Sequence, residues 1–159
     1  MKAKRVLVPL DGSILGETVL DTAVEFARAG ATLVLLRAAE ARSLVGDPVA
    51  AQLKVVHEAE LYLGGVAERL RRAGATAVET CVWYGPAAEA IVEAAWARDT
   101  DLILMSSHGR SGVSRLVLGS VAETVLRGTT TPIMLVRPSG APVAAIPAGG
   151  ARPAEASHV

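Results

Sequence analysis

Five short apolar runs alternate with stretches of helical period, and no other feature restricts the fold of this chain as strongly. The runs are RVLVPL at 5–10, TLVLLRAA at 32–39, AVETCVWYG at 77–85, DLILMSS at 101–107 and PIMLVR at 132–137. Short runs rich in Val, Ile and Leu, apolar on consecutive residues, read as strands covered on both faces. Between the first two, Leu15, Val19, Ala23 and Phe26 share one face of a helix predicted over 14–29, with Gly30 closing it. After a loop at 41–48, Val49, Leu53, Val56, Ala59, Leu63, Val66 and Leu70 step by three and four along a long helix that ends at Gly74. Gly64 and Gly65 either weaken its middle or admit a close neighbour. Pro86 suits the first position of a third helix running to about residue 98, with Ile91, Val92, Ala95 and Trp96 inward. A fourth spans about 119–127 and is capped by Gly128. Strands alternating with helices make a doubly wound α/β sheet, parallel, with helices on both faces. Such sheets take ligands beyond the carboxyl ends of their strands, where the strand order reverses.

Length and composition narrow the function. The chain has 159 residues, read as one domain at 1–137 followed by a Pro-, Ala- and Gly-rich tail at 138–159 that is expected to be disordered. A formal net charge of zero and 3% aromatic residues argue against a nucleic-acid partner. The single cysteine, Cys81, excludes a disulfide framework and reads as a small buried hydrophobe in a strand. His57, His108 and His158 have no metal-ligand spacing. No run approaches a membrane span, and the apolar run near the N-terminus is too short for a signal peptide, so the expected location is cytoplasmic.

Two segments carry chemistry. PLDGS follows the first strand. Asp11 could contact a ribose or base, or cap the first helix beside Ser13; both are satisfied if Ser13 caps and Asp11 is left for a ligand. MSSHGRSGVSRLVLGSVAETVL, at 105–126, follows and includes the end of the fourth strand. Connections in such folds usually run about two to six residues, and this one is longer. Gly109 and Gly112 permit close backbone approach, Gly119, Ser120 and Val121 open a helix whose first amides can hold an anion, and Arg110 and Arg115 can offset phosphate charge or simply face solvent. No Lys follows the glycines, which rules out the Lys-bearing phosphate loop of nucleotide hydrolases. His108 reads as a loop residue rather than a general base, because no acidic or nucleophilic partner stands beside it. Trp83, Tyr84 and Trp96 read as packing residues.

RVLVPLDGS, DLILMSSHGRSGVSRLVLGSVAETVL and TPIMLVR, in that order, resemble the universal stress protein family from about residue 4 to 137. Its nucleotide-binding members carry G-x-x-G-x9-G-[S/T]; here Gly109, Gly119 and Ser120 match, and Ser106 stands at the first glycine. The resemblance implies a Rossmann-like, adenine-nucleotide-binding sheet of order 3-2-1-4-5. It places Pro9, Leu10 and Asp11 along adenine and ribose, and Ala38 with its backbone at the adenine edge. Met105, Ser106 and Ser107 come under the ribose and α-phosphate, and Gly109, Arg110, Gly119, Ser120 and Val121 around the phosphates, with Thr124 just behind. It further implies ATP with Mg²⁺ as a regulatory ligand, little or no catalysis, an unidentified protein partner, and a homodimer joined through the fifth strand, from Pro132 to residue 137. The alternative is a member that binds no nucleotide, with Ser106 as its mark, and serves only as a dimeric interaction module. A nucleotidyl transferase would want paired histidines after the first strand, a phospho-receiver an Asp where Trp83 and Tyr84 stand, and a flavin carrier a hydroxyl-rich loop in place of LDGSILGE.

Since the tail shows no apolar period, truncation after Pro138 is expected to leave the melting temperature almost unchanged. Thermal unfolding of the two lengths checks this, and a drop of many degrees would mean that the tail docks on the domain.

Overall fold

The structure, a computed structural model, describes residues 3–41, 47–107 and 118–138. Its elements alternate as the apolar runs require: β1 (Arg5–Pro9), α1 (Ile14–Glu17), α2 (Leu20–Arg28), β2 (Thr32–Ala39), α3 (Pro48–Arg72), β3 (Val78–Tyr84), α4 (Ala87–Ala97), β4 (Leu102–Ser106), α5 (Ser120–Gly128) and β5 (Ile133–Val136). All four pairings are parallel, in the order β3-β2-β1-β4-β5. Successive strand residues point to opposite faces, so one run feeds two cores. On one face Val6, Val8, Leu33, Leu35 and Leu104 meet Ala23 of α2 and Leu63, Val66 and Leu70 of α3. On the other, Leu7, Val34, Leu36, Cys81 and Ile103 meet Ile91, Ala94 and Ala95 of α4 and Ala122 and Val125 of α5. At the amino-terminal rim the Asp101 carboxylate accepts the Lys4 and Arg5 amides and closes that end of the sheet. The carboxyl-terminal rim stays open.

Several helices differ in detail from the sequence expectation. The helix predicted over 14–29 is divided into α1 and α2. The break is shallow, since Thr18 and Val19 both keep helical dihedrals while the Thr18 hydroxyl donates to the Leu15 carbonyl and draws the turn aside. Helix α3 starts at Pro48, inside the predicted loop, because the Asp47 side chain accepts the Val49 amide and Pro48 takes the first turn. At 25 residues it is about 37 Å long, against about 26 Å for the eight residues of β2, so its opening turns overrun the sheet. Val49 and Leu53 are consequently exposed, at 64% and 65%, and the buried stripe begins at Ala59. Gly64 and Gly65 lie on the outer face with open space around them, so neither admits a close neighbour.

In α4 the buried stripe is Ala90, Ile91, Ala94 and Ala95; Trp96, expected inward, is 84% exposed, and Val92 is half-buried. Tyr84 also faces solvent, and the partly buried Trp83 donates from its indole nitrogen to Glu93. Gly128 ends α5 rather than following it, and Thr129 forms the cap. Among the described residues no helix is long and apolar enough to cross a membrane.

The exposed start and buried middle of α3 give a paired test. Leu63→Ala is expected to destabilise the protein by about 2–5 kcal/mol, the range for a buried Leu truncated to Ala. Leu53→Ala should stay within about 0.5 kcal/mol. Urea denaturation of both variants measures the difference.

Candidate functional site

The sheet's connections turn one way from β1 toward β2 and the other way from β4 toward β5, so a crevice opens between the carboxyl ends of β1 and β4. It holds a cleft of about 740 Å³. Pro9, Leu10 and Asp11 line it from β1 and the turn after it, and Ala38 from β2. Met105, Ser106 and Ser107 line it from β4, and Gly119, Ser120 and Val121 from the start of α5. Gly109 and Arg110, with His108, Gly112 and Arg115, lie outside the described residues. Thr124 does not reach the cleft. It sits one turn into α5, donates its hydroxyl to the Ser120 carbonyl, and borders a shallow hollow beside Ala88 and Val92 of α4.

One end of the cleft is built for an anion. Helix α5 opens on Gly119, which has no side chain of its own to cap the first amides. Those amides and the positive end of the helix dipole face the cleft. Gly119 has φ near −58°, which any residue can adopt, so the glycine is needed for space and not for backbone conformation. Its amide donates to the Ser107 carbonyl at 3.1 Å, and a Cβ added there would stand 3.2 Å from that same oxygen. Ser106, at the first glycine of the family pattern, belongs to β4 and pairs with Val136. Asp99 is the only described non-glycine residue with positive φ, so the Ser106 Cβ carries no left-handed strain.

The opposite end offers backbone groups. The Leu10 amide donates to the Leu36 carbonyl at 2.8 Å, which is the last rung between β1 and β2. Strand β2 continues, and on the side facing β3 the Ala39 carbonyl accepts the Gly85 amide. By the period of two, the Ala38 amide and carbonyl point the same way as those of Leu36, into the space that β1 has vacated. They present one donor and one acceptor side by side.

Between the two ends lies the β1–α1 turn. Gly12 has φ +78°, the left-handed region that glycine occupies at little cost. Ser13 caps α1 by accepting the Gly16 amide, as its sequence position suggests. Asp11 both lines the cleft and bonds within its own turn. Its Oδ1 accepts both the Ser13 amide at 2.9 Å and the Ser13 hydroxyl at 2.6 Å, which locks the carboxylate into the turn. A Cβ at Gly16 would overlap that same Oδ1, so Gly16 belongs to the site. Its signal in the sequence is a glycine in the first turn of a helix, where propensity disfavours it.

Arg37 and Tyr62 also line the cleft without having been singled out by sequence. The Arg37 Nη1 donates to the Leu10 carbonyl at 3.2 Å, and its guanidinium carbon lies 5.5 Å from the centre of the Tyr62 ring. The Tyr62 hydroxyl donates to Glu17 Oε1 at 2.8 Å, and Arg69 donates to Glu17 Oε2 at 2.6 Å. Burial and the Glu17 hydrogen bond push the Tyr62 phenol well above its ordinary range, so it remains a donor at any physiological pH. Arg37 reads as an interruption in an apolar strand, and Tyr62 sits at the edge of the apolar stripe of α3, partly buried against the core; the packing of β2 against α3 brings them together.

The matched family model is that of the Universal stress protein family, over residues 2–137, and the chain belongs to this family. Universal stress protein MJ0531 of Methanocaldococcus jannaschii is 27% identical over 139 residues, covering 84% of this chain and 82% of the relative. Among solved structures, hypothetical protein MJ0577 superposes with a TM-score of 0.76 at 26% identity, over 88% of this chain and 99% of its own. A universal stress protein in complex with cAMP superposes with a TM-score of 0.68 at 25% identity, over 86% and 98%.

Proposed function

We propose that this universal stress protein binds an adenine nucleotide, ATP with its Mg²⁺ foremost, as a regulatory ligand. In this reading it is a cytoplasmic homodimeric signalling module with an unidentified protein partner and little or no catalysis. The observation that carries the reading is the pairing of two backbone sites across one cleft. The uncapped start of α5 suits phosphates, and the Ala38 amide and carbonyl suit the adenine edge, which offers a ring-nitrogen acceptor beside an amino donor. Strands β4 and β2 flank β1, so these sites lie about 9–10 Å apart across the sheet, a span that a nucleoside can bridge. The cAMP complex of a relative 25% identical to this chain supports the same ligand class. The extended backbone at Ser106 supports binding as well, since the serine brings no conformational strain to the site.

A cation would come with the phosphates. Among the described residues no group of three or more His, Cys, Asp or Glu side chains could hold a metal, while Ser120 places a hydroxyl at the phosphate end. Catalysis would need a positioned nucleophile or water and strong charge compensation, and among the described residues the phosphate end offers backbone amides, a helix dipole and the Ser120 hydroxyl.

Gly119→Val is expected to abolish ATP binding, because a branched side chain would fill the space above the Ser107 carbonyl. Ser120→Ala should weaken binding about tenfold or less, ~1.4 kcal/mol, because most phosphate contacts are backbone amides. Calorimetric titration with ATP and Mg²⁺ is the test, and absence of heat at millimolar ligand, with no nucleotide carried through purification, would remove the reading.

The dimer belongs to the same proposal. Strand β5 is an edge of the sheet, and Met134 and Leu135 on it are exposed. An apolar edge invites pairing with its twin about a two-fold axis. Light scattering at micromolar concentration should give a dimer, and Leu135→Asp should give a monomer; a monomeric unmodified protein would refute it.

A further inference from the structure

The β1–α1 turn is tied down at both ends by side chains that lie outside it. At its start, Arg37 of β2 donates to the Leu10 carbonyl. Its guanidinium also covers Gly12, where an added Cβ would stand 3.1 Å from Nη1 and 3.4 Å from Nη2. Just past the turn, Glu17 of α1 accepts from Tyr62 and from Arg69, one residue on each carboxylate oxygen. Tyr62 joins the two ties, because its ring supports the Arg37 guanidinium while its hydroxyl holds Glu17. Within the turn, the Asp11 carboxylate is oriented by Ser13, whose hydroxyl in turn accepts the Gly16 amide.

We propose that Arg37 and Tyr62 form a latch that holds the β1–α1 turn in its binding shape, and that Arg37 is a positioning residue for the nucleoside half of the ligand. The proposal rests on the nucleotide reading for its effect on affinity, though the latch itself is a property of the ligand-free protein. Arg37 acts through Leu10 and Gly12, and Tyr62 acts through Arg37 and Glu17. The α5 end of the cleft is carried by β4 and α5, on the other side of β1 from the β2 residue Arg37. Loss of the latch should therefore weaken whatever rests on the nucleoside and leave the phosphate contribution intact.

The test uses the full chain with Arg37→Ala, Arg37→Lys and Tyr62→Phe. Titration of Arg37→Ala should show adenosine and ATP weakened by the same factor, about tenfold, as for one lost charge-assisted contact. Arg37→Lys should recover part of the loss, since an ammonium can still reach the Leu10 carbonyl but cannot cover Gly12 with a planar fork. ATP weakened with adenosine unchanged would place Arg37 on the phosphates and overturn the proposal, as would no change in either. A ligand-free arm separates the two readings. Amide hydrogen exchange at Gly12, Ser13 and Gly16 should accelerate in Arg37→Ala, and more mildly in Tyr62→Phe, while β4 and the α5 start stay as in the unmodified protein. If the unmodified protein binds no nucleotide, the functional reading fails and the exchange arm alone decides the latch. Unchanged exchange at the turn, or acceleration spread evenly over the domain, would overturn it.

Discussion

The site depends on where β1 stops. The Leu10–Leu36 hydrogen bond is its last rung with β2, and β2 runs on for three residues beyond it. Had β1 continued, the Ala38 amide and carbonyl would be spent on a ladder. Because it ends, they face open space, and the chain turns at Gly12 into a short helix that carries it over the rim of the sheet. Pro9 does not set that ending, because by the period of two its missing amide would face β4, and Leu10 after it still donates to β2. On the other side β4 reaches Ser106, and the Ser107 carbonyl then takes the Gly119 amide, so α5 starts directly above the strand end. The cleft is the gap between these two departures.

The described part of this cleft offers a ligand main-chain groups above all. Backbone groups at Ala38 and at the start of α5 are set by the sheet and helix, and substituting their side chains changes little unless bulk is added. Glycine at 119 is then a matter of room above a carbonyl, and glycine at 16 a matter of room beside a carboxylate. Side chains have a different task here. Asp11, Ser13, Arg37, Tyr62 and Glu17 bond chiefly to the turn or to one another, which gives the most irregular segment of the site a defined shape.

How far the sequence went differs by element. Strand β2 was legible to the residue, because an eight-residue apolar run buried on both faces has no other reading in an alternating chain. The amphipathic stripe of α3 identified Ala59, Leu63, Val66 and Leu70 correctly and placed Val49 and Leu53 wrongly inside. Periodicity records which face is apolar and carries no information on where the neighbouring sheet ends. Trp96 fell to a similar limit: α4 is apolar around most of its circumference, and which stripe is covered depends on α5 and the sheet.

In the site, Asp11, Gly119 and Ser120 could be named from motif and strand ends, since strand termini and the glycine that opens a helix are written locally, and Ala38 from the family resemblance. The left-handed turn at Gly12 and the Ser13 cap are local as well. What the sequence by itself determined, then, is the alternation of strands and helices, and with it a parallel sheet open at its carboxyl rim. Only the tertiary structure decided that Arg37 and Tyr62 fasten the turn from 26 and 51 residues away in the chain. Backbone preferences are properties of neighbours in sequence, whereas the contact of a guanidinium with a distant carbonyl exists only once β2 has been laid beside β1 and α3 across β2.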